Sequence, residues 1–145
     1  LLGIEFSDSI DYGVVPLTRV SNESIKNVTN RGNVKIDIKL DGYGGTDGDG
    51  NAMACSNGQN ISVEYEKYNL TASNGLVLTL PDFGLLYKNL TDSPVNETGF
   101  NLDYRKNDII NEANKATYWR IYVPLGLPVN VTCSGKINIA AMVDN

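Results

Sequence analysis

The sequence contains no histidine among its 145 residues. This absence excludes Ser-His-Asp and Cys-His catalysis as well as metal centres built on imidazole. No GxGxxG or Walker pattern is present, so no nucleotide site is indicated. A glycosidase-like carboxylate pair stays open, because 17 acidic residues offer many pairings. Most of these acids, including Asp37 and Glu64, alternate with apolar residues and indicate solvated strand faces. We therefore expect no enzyme.

Positive charge and long apolar runs are also scarce. The chain has 12 basic and 17 acidic residues, a net charge of −5, and the basic residues are scattered. Nucleic acid and anionic membrane surfaces require clustered Lys and Arg, so neither is an expected partner. The apolar runs are far shorter than the roughly 20 residues of a bilayer-spanning helix, which predicts no membrane insertion. We expect any signal peptide to have preceded Leu1.

Only two cysteines are present, Cys55 and Cys133. Two thiols without histidine are too few ligands for a structural zinc site. In a cytosolic protein they would be unrelated buried thiols, whereas an extracellular pair with no other partner typically forms a disulfide. We predict the disulfide, which would stabilise the fold by about 4 kcal/mol through loop-closure entropy.

Asn-X-Ser/Thr sequons, in contrast, are abundant: there are seven, where composition alone predicts about two. They begin at Asn22, Asn27, Asn60, Asn69, Asn89, Asn96 and Asn130. In five of them the middle residue is apolar, namely Val28, Ile61, Leu70, Leu90 and Val131. On a β-strand the Asn and Thr would point outward while the middle residue points into a core. The sequons therefore predict strands, N-linked glycans and a secreted protein.

Short alternating runs separated by Gly, Pro, Asn and Asp clusters predict an all-β sandwich or barrel. We predict strands at residues 2–6, 10–15, 24–30, 33–41, 61–68, 76–80, 100–105, 117–123 and 129–143. In the clearest run, four apolar residues alternate with Lys35, Asp37, Lys39 and Asp41, which we expect to face solvent. Cys133 shares the inward parity of the last run, where a sheet-to-sheet disulfide would lie. Only residues 107–116 suggest a helix, and without an apolar stripe a loop is the favoured interpretation.

A glycine-rich stretch at residues 41–51 predicts a long connection between strands. Within it Asp47, Asp49 and Asn51 alternate, as oxygen ligands do in the first half of a calcium loop. The EF-hand pattern then fails, because Ala52 stands at the sixth place and Gly58 at the twelfth. Two interpretations stay open: a different Ca²⁺ site, completed by backbone carbonyls or another subunit, and a solvated turn-rich loop.

The N-terminal segment is apolar and strand-like, with Leu1, Leu2, Ile4 and Phe6 in its first six positions. It is either an ordinary first strand of its own sheet or a donor strand that completes a neighbouring subunit. We therefore divide the chain into residues 1–9, a candidate donor segment, and residues 10–145, the β-sandwich domain.

Tyrosines lie on several predicted strands, at Tyr65, Tyr68, Tyr118 and Tyr122. Outward tyrosines beside a cleft stack on sugar rings in carbohydrate-binding proteins. Tyrosine is also enriched on half-buried strand faces for packing reasons alone, and this second interpretation is favoured.

Three stretches resemble immunoglobulin-like surface domains of archaea and bacteria. IDYGVVP at residues 10–16 resembles their opening "I-x-F-G-x-V-x-P" pattern, and NVTNRGNVKIDI at residues 27–38 resembles a following strand pair. TYWRIYVP at residues 117–124 with CSGKINI at residues 133–139 is similar to the closing strands. The middle of the chain, about residues 42–105, has no counterpart.

Among such domains, this chain, which is short and is expected to be secreted, resembles subunits of extracellular fibres and tubes. These are TasA/camelysin-like fibres, archaeal bundling pili and cannula-type tubes. The resemblance implies an immunoglobulin-like, jelly-roll-like sandwich that polymerises by donor-strand complementation, with calcium in the cannula type. Together with the sequon density, it favours an archaeal surface appendage. We therefore expect a homopolymeric structural subunit. The alternative is a monomeric adhesin or carbohydrate-binding module that uses its tyrosines and the residues 47–51 loop to bind surface glycans.

Overall fold

A computed structural model describes residues 1–6, 9–109, 112–127 and 130–144. The strands are β1 (Ile4–Phe6), β2 (Ser24–Asn30), β3 (Ile36–Tyr43), β4 (Asn51–Cys55), β5 (Asn60–Ser62), β6 (Glu66–Asn69), β7 (Lys88–Asn89), β8 (Val95–Leu102), β9 (Asn114–Ile121), β10 (Cys133–Ser134) and β11 (Lys136–Val143). A 3₁₀ turn, Val63–Tyr65, precedes β6, and a short helix α1, Leu80–Leu86, lies between β6 and β7.

The strands form three antiparallel sheets. The largest has the order β1-β2-β9-β6-β7, and the two smaller ones have the orders β11-β3-β8 and β10-β4-β5. The chain passes from β10 into β11 at Gly135, where an added Cβ would lie 1.8 Å from the carbonyl oxygen of Ala52. Only glycine fits this close backbone approach, which joins the two smaller sheets.

The main core lies between the large sheet and the β11-β3-β8 sheet. Val28, Tyr68 and Trp119 of the large sheet pack in one cluster with Ile38 and Leu40 of β3, and all five are at most 1% exposed. Each fully buried aliphatic side chain contributes about 1.5–3 kcal/mol. Two sheets packed face to face over one core make the all-β sandwich that the alternating pattern predicts.

Two acids of β3 depart from the solvated face expected for them. Asp37 and Asp41 are buried, whereas Lys35 and Lys39 are exposed. The ladder between β3 and β8 is interrupted, and the Asp37 carboxylate accepts a hydrogen bond of 2.8 Å from the backbone N–H of Asn101 on β8. The expectation that Asp37 is solvated was wrong, because an irregularity in the neighbouring strand covers it.

The strand expected at residues 76–80 is absent, and that prediction was wrong, because residues 76–79 form a loop and Leu80 begins helix α1. Thr79 caps the helix through a 3.3 Å hydrogen bond that its hydroxyl accepts from the N–H of Asp82, and Pro81 occupies the first turn. Phe83 is the one helical residue that is fully buried. It packs with Leu78 and Tyr87 over the outer face of the large sheet, so part of that face is covered.

The other predicted strands agree with the structure only in part. Residues 24–30 coincide with β2, and residues 33–41 overlap β3, but residues 10–15 form no strand. The predicted strand 61–68 is broken by the 3₁₀ turn, while β4 and β7 were not predicted. Residues 114–116 belong to β9 rather than to a helix or loop, and Ile110 and Asn111 of the same prediction lie outside the described residues. Val129 of the predicted last strand also lies outside them.

Candidate functional site

Strand β1 forms one edge of the large sheet. It pairs antiparallel with β2 in a register that places Ile4 opposite Asn30 and Phe6 opposite Val28. The pairing extends beyond β1, because the carbonyl of Gly3 accepts a 3.0 Å hydrogen bond from the N–H of Arg31. In the isolated chain, residues 1–6 therefore complete their own sheet, and donation to a neighbour requires this strand to exchange.

The four apolar side chains expected at an interface divide into two groups. Ile4 and Phe6 are half-buried against the main core, and the Phe6 ring meets Trp119 edge-on at 6.4 Å between centroids. Leu1 and Leu2 are 85% and 45% exposed. The inward pair anchors the segment, while the outward pair is free to contact another molecule.

The turn that receives this segment allows no side chain at Gly32. An added Cβ there would lie 2.1 Å from the carbonyl oxygen of Leu1, which itself accepts a 3.1 Å hydrogen bond from the N–H of Asn33. A side chain at position 32 would therefore push residues 1–3 away from the turn.

A cavity of about 320 Å³ opens beside the β1 edge. Its walls include Phe6 of β1, Ile10 and Tyr12 of the following segment, Glu66 of β6 and Ile137 of β11. The cavity therefore lies between residues of the large sheet and residues of the smaller sheets.

Glu66 is a buried carboxyl group in the wall of this cavity. It accepts a 2.5 Å hydrogen bond from the hydroxyl of Tyr12, and only 3% of the residue is exposed. Burial raises the pKa of Glu66 to about 7, although the hydrogen bond from Tyr12 acts in the opposite direction. Burial and the neighbouring carboxyl also raise the pKa of Tyr12. The pair ties the segment that follows β1 to the centre of the large sheet.

The predicted disulfide is present between Cys55 and Cys133. The two residues are directly opposed on the adjacent antiparallel strands β4 and β10. The bridge therefore links neighbouring strands of one small sheet, and the expected sheet-to-sheet position was wrong. It ties the segment leading into β11 to the body of the domain.

The sequon asparagines face outward, as the strand interpretation of these motifs requires. Six are exposed and Asn69 is half-buried. Their apolar middle residues point inward: Val28, Ile61, Leu70 and Leu90 are buried and Val131 is half-buried. The inward position of these middle residues is confirmed, but only Val28 and Ile61 of the five lie within strands, and residues 130–132 form no strand. Glycan attachment itself stays a prediction.

Three of these asparagines line one large cavity of about 710 Å³, namely Asn69, Asn89 and Asn96. In its wall, the Tyr68 hydroxyl donates a 2.6 Å hydrogen bond to the Glu97 carboxylate. No local sequence pattern indicates that these asparagines, which lie on three different strands, would share one cleft.

The glycine-rich loop is organised by Asp49. Its carboxylate accepts hydrogen bonds from the backbone N–H groups of Thr46, Asn51, Gly45 and Gly44, at 2.8–3.1 Å. Those donors, led by Thr46 and Asn51, lower the pKa of Asp49. The presence of Asp49 in this loop is thus explained by its hydrogen bonds to the loop backbone, without a bound metal.

No group of three or more Cys, Asp or Glu residues in the described ranges could hold a metal ion. Among the described residues, no such group therefore forms around Asp47, Asp49 and Asn51. A Ca²⁺ site there needs backbone carbonyls or a second subunit, and it stays a prediction.

The strand tyrosines are packing residues. Tyr68 is buried, and Tyr65, Tyr118 and Tyr122 are half-buried against the core or against the cluster under α1. Tyr65 and Tyr122 contact each other at 5.5 Å between ring centroids. These four side chains present no exposed stacking platform for sugar rings.

The architecture defines the class of protein as an all-β sandwich domain with one disulfide. No protein-family model, curated protein or solved structure matches the chain. Across the described residues, every helix is too short or too polar to cross a membrane.

Proposed function

We propose that this protein is a structural subunit of a glycosylated extracellular filament or tube, in which neighbouring subunits exchange strand β1. The observation that carries the proposal is the position of β1. It is a three-residue edge strand that inserts Ile4 and Phe6 beside the core and, among the described strands, makes its ladder with β2 alone. An identical strand from another copy would make the same ladder and fill the same sites.

Exchange of this kind costs little free energy, because the hydrogen bonds and packing that β1 gives up in its own subunit form again in the next. Each subunit would donate β1 to one neighbour and receive it from another. Such a head-to-tail contact generates a ring if the rotation closes and a filament or tube if it does not. The exposed Leu1 and Leu2 add apolar area that a neighbouring subunit would cover.

Two further observations support an extracellular location. The Cys55–Cys133 disulfide is a bond that persists in oxidising compartments. The sequon asparagines stand at the surface, where oligosaccharides have room. A net charge of −5 and a coat of glycans would disfavour side-by-side association of subunits. Subunits would therefore associate through backbone hydrogen bonds at their sheet edges.

Electron microscopy of three proteins tests the proposal. The intact chain should form filaments or tubes. A variant lacking residues 1–6 has an open acceptor and no donor strand, and a Gly32→Val variant keeps the donor but obstructs its own acceptor. Each variant alone should be non-polymeric, and their mixture should form complexes that stop at two subunits.

A synthetic peptide of residues 1–6 should bind the truncated variant and not the intact monomer. Repeating the assembly with added Ca²⁺ and with a chelator tests the residues 47–51 loop as a subunit-bridging site. Monodisperse monomers of the intact chain at every concentration and calcium level would contradict the proposal. Saturable glycan binding by those monomers would favour an adhesin instead.

A further inference from the structure

The cleft of about 710 Å³ brings three of the seven sequon asparagines together. Sixteen of the described residues line it, and three of them are Asn69, Asn89 and Asn96. The cavity beside β1 has none of the seven sequon asparagines among its lining residues. The two cavities therefore differ in whether glycan attachment sites stand in their walls.

The wall of the cleft has polar groups held in fixed positions. Glu97 accepts hydrogen bonds on both carboxylate oxygens, from the Tyr68 hydroxyl at 2.6 Å and from the Lys88 ammonium at 2.7 Å. Lys88 stays largely exposed while Glu97 is mostly buried. An ordered carboxylate and ammonium beside hydroxyl groups is the type of surface that hydrogen-bonds sugar hydroxyls.

The rim of the same cleft exposes apolar side chains. Leu85, Leu86 and Val95 are 83%, 48% and 37% exposed and line the cavity. Exposed apolar groups gathered at one place mark a surface that another group covers. The C–H faces of sugar rings are suited to this, because they pack on apolar carbons while their hydroxyls remain hydrated.

Hydrogen bonds fix the orientation of two of the three asparagine side chains to which glycans would be attached. The Asn69 side-chain N–H donates to the carbonyl of Leu86 at 3.1 Å, and its oxygen accepts from the N–H and the hydroxyl of Thr71, both at 2.9 Å. The Asn89 oxygen accepts from the Lys67 ammonium. An N-linked sugar replaces one amide hydrogen and leaves the other hydrogen and the oxygen in place, so these hydrogen bonds are compatible with attachment.

We propose that this cleft is an intramolecular carbohydrate-binding site, occupied by the oligosaccharides attached to Asn69, Asn89 and Asn96. The inference rests on the glycosylation that forms part of the proposed function, and it does not depend on strand exchange. The bound sugars cover Leu85, Leu86 and Val95 and close the cleft to external ligands. The cavity beside β1 stays clear of them.

The test compares two sets of sequon removals in the protein made by its own glycosylating host. The cleft set is Thr71→Val, Thr91→Val and Thr98→Val. The matched control set is Ser24→Ala, Ser62→Ala and Thr132→Val, which removes three sequons elsewhere. The readouts are glycopeptide mass spectrometry, hydrogen exchange of residues 85–99 and fluorescence of an apolar-surface dye.

We expect the cleft set to show several-fold faster exchange at residues 85–99 and increased dye binding, and the control set to match the wild type there. Thr71 and Thr91 also make hydrogen bonds of their own, to Asn69 and to the carbonyl of Ser93. Both sets are therefore also made in a host without N-glycosylation, where the cleft set and the unglycosylated wild type should be alike.

Two results would overturn the proposal. One is glycans present at the three sites with exchange and dye binding unaffected by their loss. The other is absence of glycans from all three sites in the native protein. Neither result bears on the mixing experiment with the truncated and Gly32→Val chains, so failure of this inference is distinguishable from failure of strand exchange.

Discussion

Glu66 is a buried acid whose pKa is raised far above that of a surface glutamate. It lies on a strand of the large sheet with the same inward parity as Tyr68, and its carboxyl group meets Tyr12, 54 residues away in the sequence. The parity could be predicted from the alternation, whereas the partner could not, because Tyr12 lies in a segment without regular structure. A buried acid with one such partner is costly when ionised.

Stability should therefore depend on pH through Glu66. Its pKa is about 7 in the folded protein against 4.5 for an ordinary glutamate. Between these values the folded state holds a proton that the unfolded state has lost, so the free energy of unfolding falls as pH rises. The loss should be on the order of 3 kcal/mol by pH values above 7. Urea denaturation of wild type and Glu66→Gln across this range measures it.

Glu64→Gln is the matched control, since Glu64 lies two positions away and is exposed. The Glu66→Gln profile should be flatter than that of the wild type in this window, and the Glu64→Gln profile should follow the wild type. Identical profiles for all three proteins would show that Glu66 titrates as an ordinary surface carboxylate.

Other residues show why prediction from the sequence succeeded in part. Val28 and Ile61, the middle residues of two sequons, point inward because period-two alternation is a local property of a strand. Asp37 has the same local pattern as an exposed acid, yet Asn101 of another strand covers it. The local alternation does not reveal contacts with a strand that is distant in the sequence. The residues on the inward faces were therefore predicted correctly, whereas the burial of Asp37 was not.

At the scale of elements, the segment around α1 depends on Arg120 of β9. This arginine is 2% exposed, and its guanidinium donates to the Tyr87 hydroxyl at 3.0 Å and to the carbonyls of Ser21 and Leu76 at 3.1 and 2.9 Å. It also donates to the carbonyl of Asn74. The alternation along β9 correctly predicts that Arg120 lies on the outer face of the large sheet. The sequence does not show that α1 and its flanking loop bury Arg120 there.

Replacing this residue should release the segment over the outer face. Arg120→Met leaves the buried carbonyl of Ser21 and the partly buried carbonyls of Asn74 and Leu76 without this donor, and we expect a loss of about 3 kcal/mol in unfolding free energy. Chemical denaturation measures the loss, and hydrogen exchange should show faster exchange at residues 74–87. Arg19→Met is the control, because Arg19 is exposed and its replacement should change stability by less than about 0.5 kcal/mol. Equal effects of the two substitutions would contradict this role for Arg120.

Helix α1 was missed for a physical reason. It has seven residues, a glycine in its interior and one fully buried side chain, so it lacks the apolar stripe that identifies longer helices. The available signal was its start, where Thr79, Pro81 and Asp82 form a capping sequence. The long alternating strands β2 and β3, in contrast, were found because their pattern persists over seven and eight residues.

At the scale of the whole molecule, the surface has a cleft lined by sequon asparagines and a cavity, beside an edge strand, whose lining contains none. Three sequons surround the large cleft, while the cavity beside β1 has none in its lining. The sandwich and the disulfide pairing could be predicted from the sequence. The placement of the bridge within one sheet could not, because strand neighbours depend on the topology.

Strand exchange between subunits can be detected through the register of β1 and β2. Glu5 lies opposite Thr29, so cysteines at these two positions are placed to form a disulfide across the ladder. One protein with Glu5→Cys is mixed with another carrying Thr29→Cys, and chains joined by a disulfide are counted on a non-reducing gel. A mixture of Glu5→Cys with Lys26→Cys is the control, because Lys26 lies beyond the residues paired with β1.

The proposed function predicts abundant cross-links between chains in the first mixture and none in the control. A single chain carrying both Glu5→Cys and Thr29→Cys should lock its own strand in place and stay monomeric until it is reduced. Assemblies that form without any cross-link between Glu5→Cys and Thr29→Cys chains would contradict strand exchange.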